Sequence, residues 1–278
     1  VPVLKGIALK NRLHVALGDH EDMLDGLGIT EPPPHRDPIF VRMHLTPRDG
    51  DPYSNPADWV YEVMQDILPD WYVADYDRQR MLRAAEKWWQ AHVFDGVDGV
   101  EIKRDGRYLI RNCRGVRLTG ACEVYELSRS HVAAMTGGAT VLSASACDID
   151  FLSDYAVIVI LRDGSCVAHL GEFASIKTME DTARVVLADG NAVIHKMTDQ
   201  ALIDTLAGNA KVRAMYCTAT IASMAQQAEI GDMWENSVVG TLADNAVIHF
   251  ARGESSVATI LGQGTVQAAS PRVRCGSR

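Results

Sequence analysis

The chain has 278 residues, 47% hydrophobic and 23% charged, which is the balance of an ordinary globular protein of one large or two modest domains. A net charge of -9 argues against general nucleic-acid binding, and no stretch approaches ~18 consecutive apolar residues, so no membrane span is expected. The six cysteines lack CxxC or Cys/His zinc spacing, which predicts reduced structural thiols rather than a disulfide framework.

Residues 1–106 read as a small acidic α+β head, with 12 Lys+Arg against 19 Asp+Glu. The opening "VPVLKGIALKNRLHV" has no signal-peptide layout. "LKGIALKNRLHVAL" predicts a hairpin turning at Lys10-Asn11, and "DHEDMLDGLGI" a short helix with acids in its first turn. "PPPHRDP" (32–38) is a stiff connector. "IFVRMHL" alternates as a strand, and "DWVYEVMQDIL" predicts another. In "DYDRQRMLRAAEKWWQAHVF", Met81, Leu82, Ala85, Trp88 and Trp89 fall at helical spacing, with His92 on the same face and Asp75 or Asp77 as the cap. The Trp pair reads as a helix docked on a sheet rather than a ligand platform.

From about Val116 the pattern changes. From Ile149 to Val266 a β-branched residue recurs every nine positions without insertion, and Ile194, Ile203, Val212, Ile221 and Ile230 form the centre of this core ladder. Two residues earlier the side chain is always small: nine Ala, three Ser, one Cys and one Gly. Three residues later Leu or Met dominates. One such unit cannot bury its own face, so units must stack, and nine residues cannot hold a helix pair. The fold expected is an α+β N-terminal domain followed by a β-solenoid over 107–270, with a tail at 271–278.

A period of eighteen sorts the chemistry and a period of twenty-seven does not. Lys177, His195, Arg213 and His249 fall in alternate units, while Ala168, Ala222, Gly240 and Ala258 fall in the intervening ones. Asn191, Asn209, Gln227, Asn245 and Gln263 form an amide ladder on one turn. Asp163, Asp181, Asp199 and Glu235 occupy the other. Two repeats per coil follow, about nine coils in all.

An acidic α+β head carrying "DILPDWY" and an aromatic helix, followed by long A-x-V arrays, resembles a group of bacterial and phage proteins. The resemblance implies a bacterial or phage origin and a cytoplasmic or phage-particle location. It carries over no activity and no functional residue.

The basic ladder Lys177, His195, Arg213, His249 is a candidate grip for an anionic polymer, set against a merely solvated sheet face. The acidic ladder is a weak Ca²⁺ candidate, because the Gly-Gly-Asp pattern of calcium rolls is missing and Asp favours turns for local reasons. Thr205, Ser223, Thr241 and Thr259 form one hydroxyl rank, but its neighbours are too irregular for an ice-binding plane. The face with Cys166, Ala168, Leu202, Ala222, Val238, Gly240 and Ala258 is a candidate for packing against a second copy. Only "SPRVRCGSR" follows the repeats, so the last coil is expected to dock another copy or a partner, while the head is expected to cap the first.

Nucleophile-elbow, P-loop and HExxH motifs are missing, and no insertion builds a pocket. The expected function is therefore non-enzymatic, with no cofactor and no metal: a rigid rod with a recognition head that forms homo-oligomers or docks a partner. The alternatives are an inhibitor that binds a basic host protein through acidic surfaces, and a glycan-binding or glycan-cleaving solenoid.

Overall fold

The computed structural model describes residues 3–32 and 36–276. The chain forms two compact units, divided between Val93 and Phe94.

The first unit is a four-stranded antiparallel sheet with two helices. Strands β1 (Leu4–Ala8) and β2 (Leu13–Leu17) are joined by a two-residue turn at Lys10-Asn11, closed by Leu9 N–H to Arg12 O at 2.7 Å. Helix α1 (His20–Gly26) starts where Asp19 accepts the His20 N–H. Part of the proline-rich connector, residues 33–35, lies outside the described residues. Strands β3 (Val41–Thr46) and β4 (Val60–Val63) complete the order β2-β1-β3-β4.

Helix α2 (Ala74–His92) is seated where β1 carries Gly6; a Cβ there would lie 2.6 Å from the Met81 sulfur. Leu24 of α1 packs with Ile7 and Phe40. Consecutive strand residues point to opposite faces, so Gly6 and Ile7 assign the two helices to opposite sides of the sheet. The expected cap of α2 takes a different form. Val73 holds the N-cap position, and buried Asp77 reaches back to accept the Val73 N–H at 3.0 Å.

The second unit is a β-solenoid of about ten turns made of two eleven-stranded parallel sheets. The front sheet includes Val157–Arg162, Ser175–Met179, Val193–Met197, Lys211–Met215, Glu229–Met233, Val247–Ala251 and Thr265–Ala269. The back sheet includes Asp148–Leu152, Cys166–Leu170, Arg184–Ala188, Leu202–Leu206, Thr220–Met224, Val238–Leu242 and Ser256–Ile260. Chain-consecutive strands alternate between sheets, and Ile176 pairs with Ile194 and Ile194 with Val212, so the coil is eighteen residues, two repeats long.

Within each repeat as far as Ser256–Ile260 the small residue, the β-branched residue and the residue three further on are all buried. Ala192, Ile194, Met197, Ala201, Ile203 and Leu206 fill one coil. Ala permits the two sheets to approach, and Met adapts to the wider ends. At ~4.8 Å per coil the stack rises roughly 48 Å.

The solenoid differs from its expected limits at both ends. Val93–Asp95 and Glu101–Ile102 already belong to its sheets, before residue 107, and Arg274–Cys275 pairs with Ser256–Ile260 inside the expected tail. The number of turns is accordingly about ten rather than nine. The early coils hide the repeat. Thr140 pairs with Glu123 and Val132 with Val116, and register shifts fall at Val132/Ala134 and Tyr108/Leu109. All six cysteines are free thiols, and burial pushes the Cys147 thiol up to about 11.

Three repeats carry a buried Ser where most carry Ala. Ser165 Oγ donates to Arg162 O at 2.7 Å and accepts the Cys147 N–H at 3.2 Å. Ser237 and Ser255 bury hydroxyls without a hydrogen-bond partner. Ser237→Ala and Ser255→Ala should each stabilise the solenoid by about 1 kcal/mol, and Ser165→Ala should destabilise it by a similar amount. Urea melts followed by far-ultraviolet circular dichroism check both signs.

His20 is buried, stacks on His44 at 5.0 Å and sets its Nε2 3.3 Å from Met43 O. Burial holds its imidazole down to about 4. Unfolding frees it to bind a proton at about 6.5, so the unfolded state takes up more protons between the two values. The contribution is complete above 6.5 and is lost as pH falls toward 4, by about 3 kcal/mol at the limit. Four of the five tryptophans lie in this unit, so their fluorescence should show a denaturation midpoint that drops across that window, and His20→Gln should flatten the drop.

Candidate interaction faces of the solenoid

Register turns the repeat into columns of side chains. On the front sheet, Lys177, His195, Arg213, Gly231, His249 and Gln267 follow one another up the stack. Lys177 Nζ lies 3.2 Å from His195 Nε2. Burial first, then the charges of Lys177 and Arg213, lower the affinity of His195 for a proton. His249 does not join this group. Its Nδ1 contacts Gln267 Oε1 at 2.9 Å and its Nε2 faces Glu229 at 3.7 Å.

Two further cations do join it. Lys196 stands in the next column, with its ammonium 5.5 Å from the Tyr216 ring centre. Lys211 borders Arg213 and pairs with Glu229 at 2.9 Å. One coil on, the front sheet turns acidic at Glu229 and Asp232, where Arg252 lies 3.6 Å from Asp232 and 4.5 Å over Trp234.

The back sheet carries the expected small face. Leu202, Thr220, Val238 and Ser256 are in register, as are Thr205, Ser223, Thr241 and Thr259. Cys166 and Ala168 stand lower on the same sheet, where charges accumulate. There His131 pairs with Asp150 at 3.0 Å and Arg184 with Asp204 through Nε at 3.1 Å. Above Asp204, the strands Thr220–Met224, Val238–Leu242 and Ser256–Ile260 present no charged residue at all.

Exposed aromatics on this side escaped the sequence reading. Phe151 and Tyr155 are 55% and 68% exposed, and Tyr155 stacks on Phe173 at 5.5 Å. Tyr155 and Phe173 occupy the column that continues as Asn191, Asn209, Gln227, Asn245 and Gln263, so the amide ladder begins with two stacked rings. Its backbone links are regular, such as Asn209 N–H to Gly190 O at 2.8 Å. One amide–amide contact runs from Asn209 Nδ2 to Asn191 Oδ1 at 3.4 Å.

The acidic ladder has a structural task. Asp163, Asp181, Asp199 and Glu235 all adopt positive φ at the same turn position. On the opposite edge Asp154, Glu172, Gly190, Gly208, Gln226 and Asp244 do the same. At several of these positions the polar side chain reaches down one coil and accepts the backbone N–H of its predecessor. Asp154 N–H donates to Glu172 at 3.1 Å, Cys217 N–H to Glu235 at 2.7 Å and Gln226 N–H to Asp244 at 3.0 Å. Asp199 makes the same contact to Asp181 N–H at 3.4 Å, and Asp163 accepts from Ser145 Oγ at 2.8 Å. Among the described residues, no three His, Cys, Asp or Glu side chains gather as a metal site would require.

In the first unit the Trp pair is engaged locally: Trp88 stacks on His92 at 4.8 Å and Trp89 Nε1 donates to Pro52 O at 3.3 Å. A shallow hollow there is lined by Glu31, Phe40, Arg42, Gln65 and Ile67, with Arg42 paired to Glu31. No helix among the described residues is long and apolar enough to cross a membrane. No family model matches the chain, and neither a curated protein nor a solved structure matches it.

Asp244→Ala leaves the Gln226 N–H without its acceptor and keeps a Cβ at positive φ, so it should cost about 1–2 kcal/mol. Asp244→Asn retains an acceptor and tolerates the same backbone, and should cost little. Glu235→Ala should match the first result. Added Ca²⁺ should leave the unfolding midpoint of all these proteins unchanged, as thermal melts with and without the ion would show.

Proposed function

We propose that this protein is a non-enzymatic interaction rod that packs its back sheet against the back sheet of a second copy. The observation that carries this reading is the uncharged run of three adjacent strands, whose outward residues are Thr220, Ala222, Ser223, Val238, Gly240, Thr241, Ser256, Ala258 and Thr259. A sheet face that only meets water is normally studded with charge to discourage association. Here the same molecule places seven Lys and Arg residues on its front sheet and none on this stretch.

Small side chains make the stretch flat, which suits a two-fold contact between identical faces. The three uncharged strands, each five residues wide, give roughly 240 Å² per copy at the usual strand rise and spacing. That is below the size of a stable specific interface, so a weak, reversible, concentration-dependent dimer is expected. The acidic head serves as the recognition module of the rod, with a basic protein surface as its natural partner.

Absolute mass by light scattering tests the packing. The wild-type chain should rise from 30.4 kDa toward twice that with concentration, and should keep doing so in high salt because the contact is uncharged. Ala222→Lys with Ala258→Lys should hold the protein at the mass of one chain. A wild-type protein that stays at one chain's mass at the highest attainable concentration would overturn the proposal.

A further inference from the structure

We propose that the front sheet between Ser175–Met179 and Lys211–Met215 is a binding site for a linear acidic polysaccharide that lies along the solenoid axis. The inference uses the face opposite the packing surface and does not depend on it.

The first support is unbalanced charge. Elsewhere on the solenoid, Arg162, Arg184 and Arg252 each stand beside an aspartate. Lys177, Lys196 and Arg213 are exposed, on three adjacent strands, with no carboxylate in ion-pair range among the described residues. This occurs in a chain of net charge -9, where acids are in excess. Lys177 Nζ also lies 3.2 Å from His195 Nε2, and the imidazole, disfavoured as a cation by burial and by Lys177 and Arg213, can accept its hydrogen bond without adding a competing carboxylate.

The second support is spacing. Residues 177, 195 and 213 occupy equivalent positions in consecutive coils, so their charges repeat at about 4.8 Å. A compact anion needs donors that converge, whereas a flat sheet spreads them along a line. A chain of linked uronic acids carries one carboxylate per ring, a linear array of single charges that a line of single cations can meet. An extended acidic peptide repeats its same-face side chains at about 6.8 Å and drifts out of step. A nucleic-acid duplex carries a charge every ~1.7 Å, far more than this patch can neutralise.

The borders fix the length. The preceding strand offers Val157, Val159 and Ile160, an apolar shelf for the C–H faces of a sugar. The following strand carries Glu229 and Asp232, which repel a polyanion. The site is therefore short, confined to the three strands that carry Lys177, Lys196 and Arg213.

The probe is a fluorescently labelled decagalacturonate, titrated by anisotropy into the full chain at low and physiological salt. Saturable binding that weakens with salt is expected. Lys177→Gln with Arg213→Gln should weaken it at least tenfold, and Glu229→Gln should tighten it. Far-ultraviolet circular dichroism checks that these exposed substitutions leave the fold intact. Absence of binding at low salt would overturn the proposal, as would binding that ignores both substitutions. Tighter binding of a single-stranded oligonucleotide or of polyglutamate under the same conditions would assign the patch to another polymer and overturn it equally.

Discussion

Backbone hydrogen bonding between successive coils is the constraint from which the rest of the solenoid follows. Each strand's N–H and C=O groups are satisfied by the strands one coil above and below. Equivalent residues are therefore forced into columns at the coil rise. A side chain in such a structure has its own replica, or whatever replaced it, as its nearest neighbour. Core columns can repeat one apolar residue indefinitely, as Ile176, Ile194, Val212, Ile230 and Ile248 do. Charged columns cannot do so without repulsion, and the front-sheet column passes from Lys177, His195 and Arg213 to Gly231, where an added Cβ would collide with Arg213 O.

The turns solve a second problem set by the same stacking. Nine residues must cross from one sheet to the other, and the crossing needs one residue at positive φ per repeat. Glycine meets that need at Gly190, Gly208 and Gly253, where there is no Cβ to oppose the conformation. Asp, Glu and Gln meet it differently. Their backbone is less content there, but the side chain gains the N–H of the coil beneath. Two chemistries thus serve one position, and each offsets what the other lacks.

This explains how much could be read from the sequence. The coil of two repeats was legible because the spacing between Ile149 and Val266 never slips, and a period of eighteen alone separates Lys177 from Ala168. The head's hairpin and both helices followed from alternation, acids at a helix start and helical spacing. The true start of the solenoid was hidden by shorter coils and by shifts of register at Tyr108/Leu109 and Val132/Ala134. The positive-φ turn was partly hidden because Asp, Gly, Gln and Cys share it without a common side chain. Lys196 and Lys211 were missed because the front sheet was lined up only at the position directly after the β-branched residue, although the position before that residue and the second after it also face outward. The columns that contain them, and the one that stacks Tyr155 on Phe173, can be written directly from the eighteen-residue period.

The two sheets have the same core and the same backbone, so the difference between their outer surfaces has no structural origin in the coil. A Lys or Arg in place of Ala222 or Ala258 would meet water as readily as Arg213 does, because all three positions are exposed. Charge has instead been gathered on one side, at Lys177, Lys196 and Arg213, and withdrawn from three strands of the other. Folding stability gains nothing from cations gathered in adjacent coils, since like charges repel. Two surfaces of opposite character on one solenoid suit the proposed linking role: one offered to an identical neighbour through shape, the other to a charged chain through its cations.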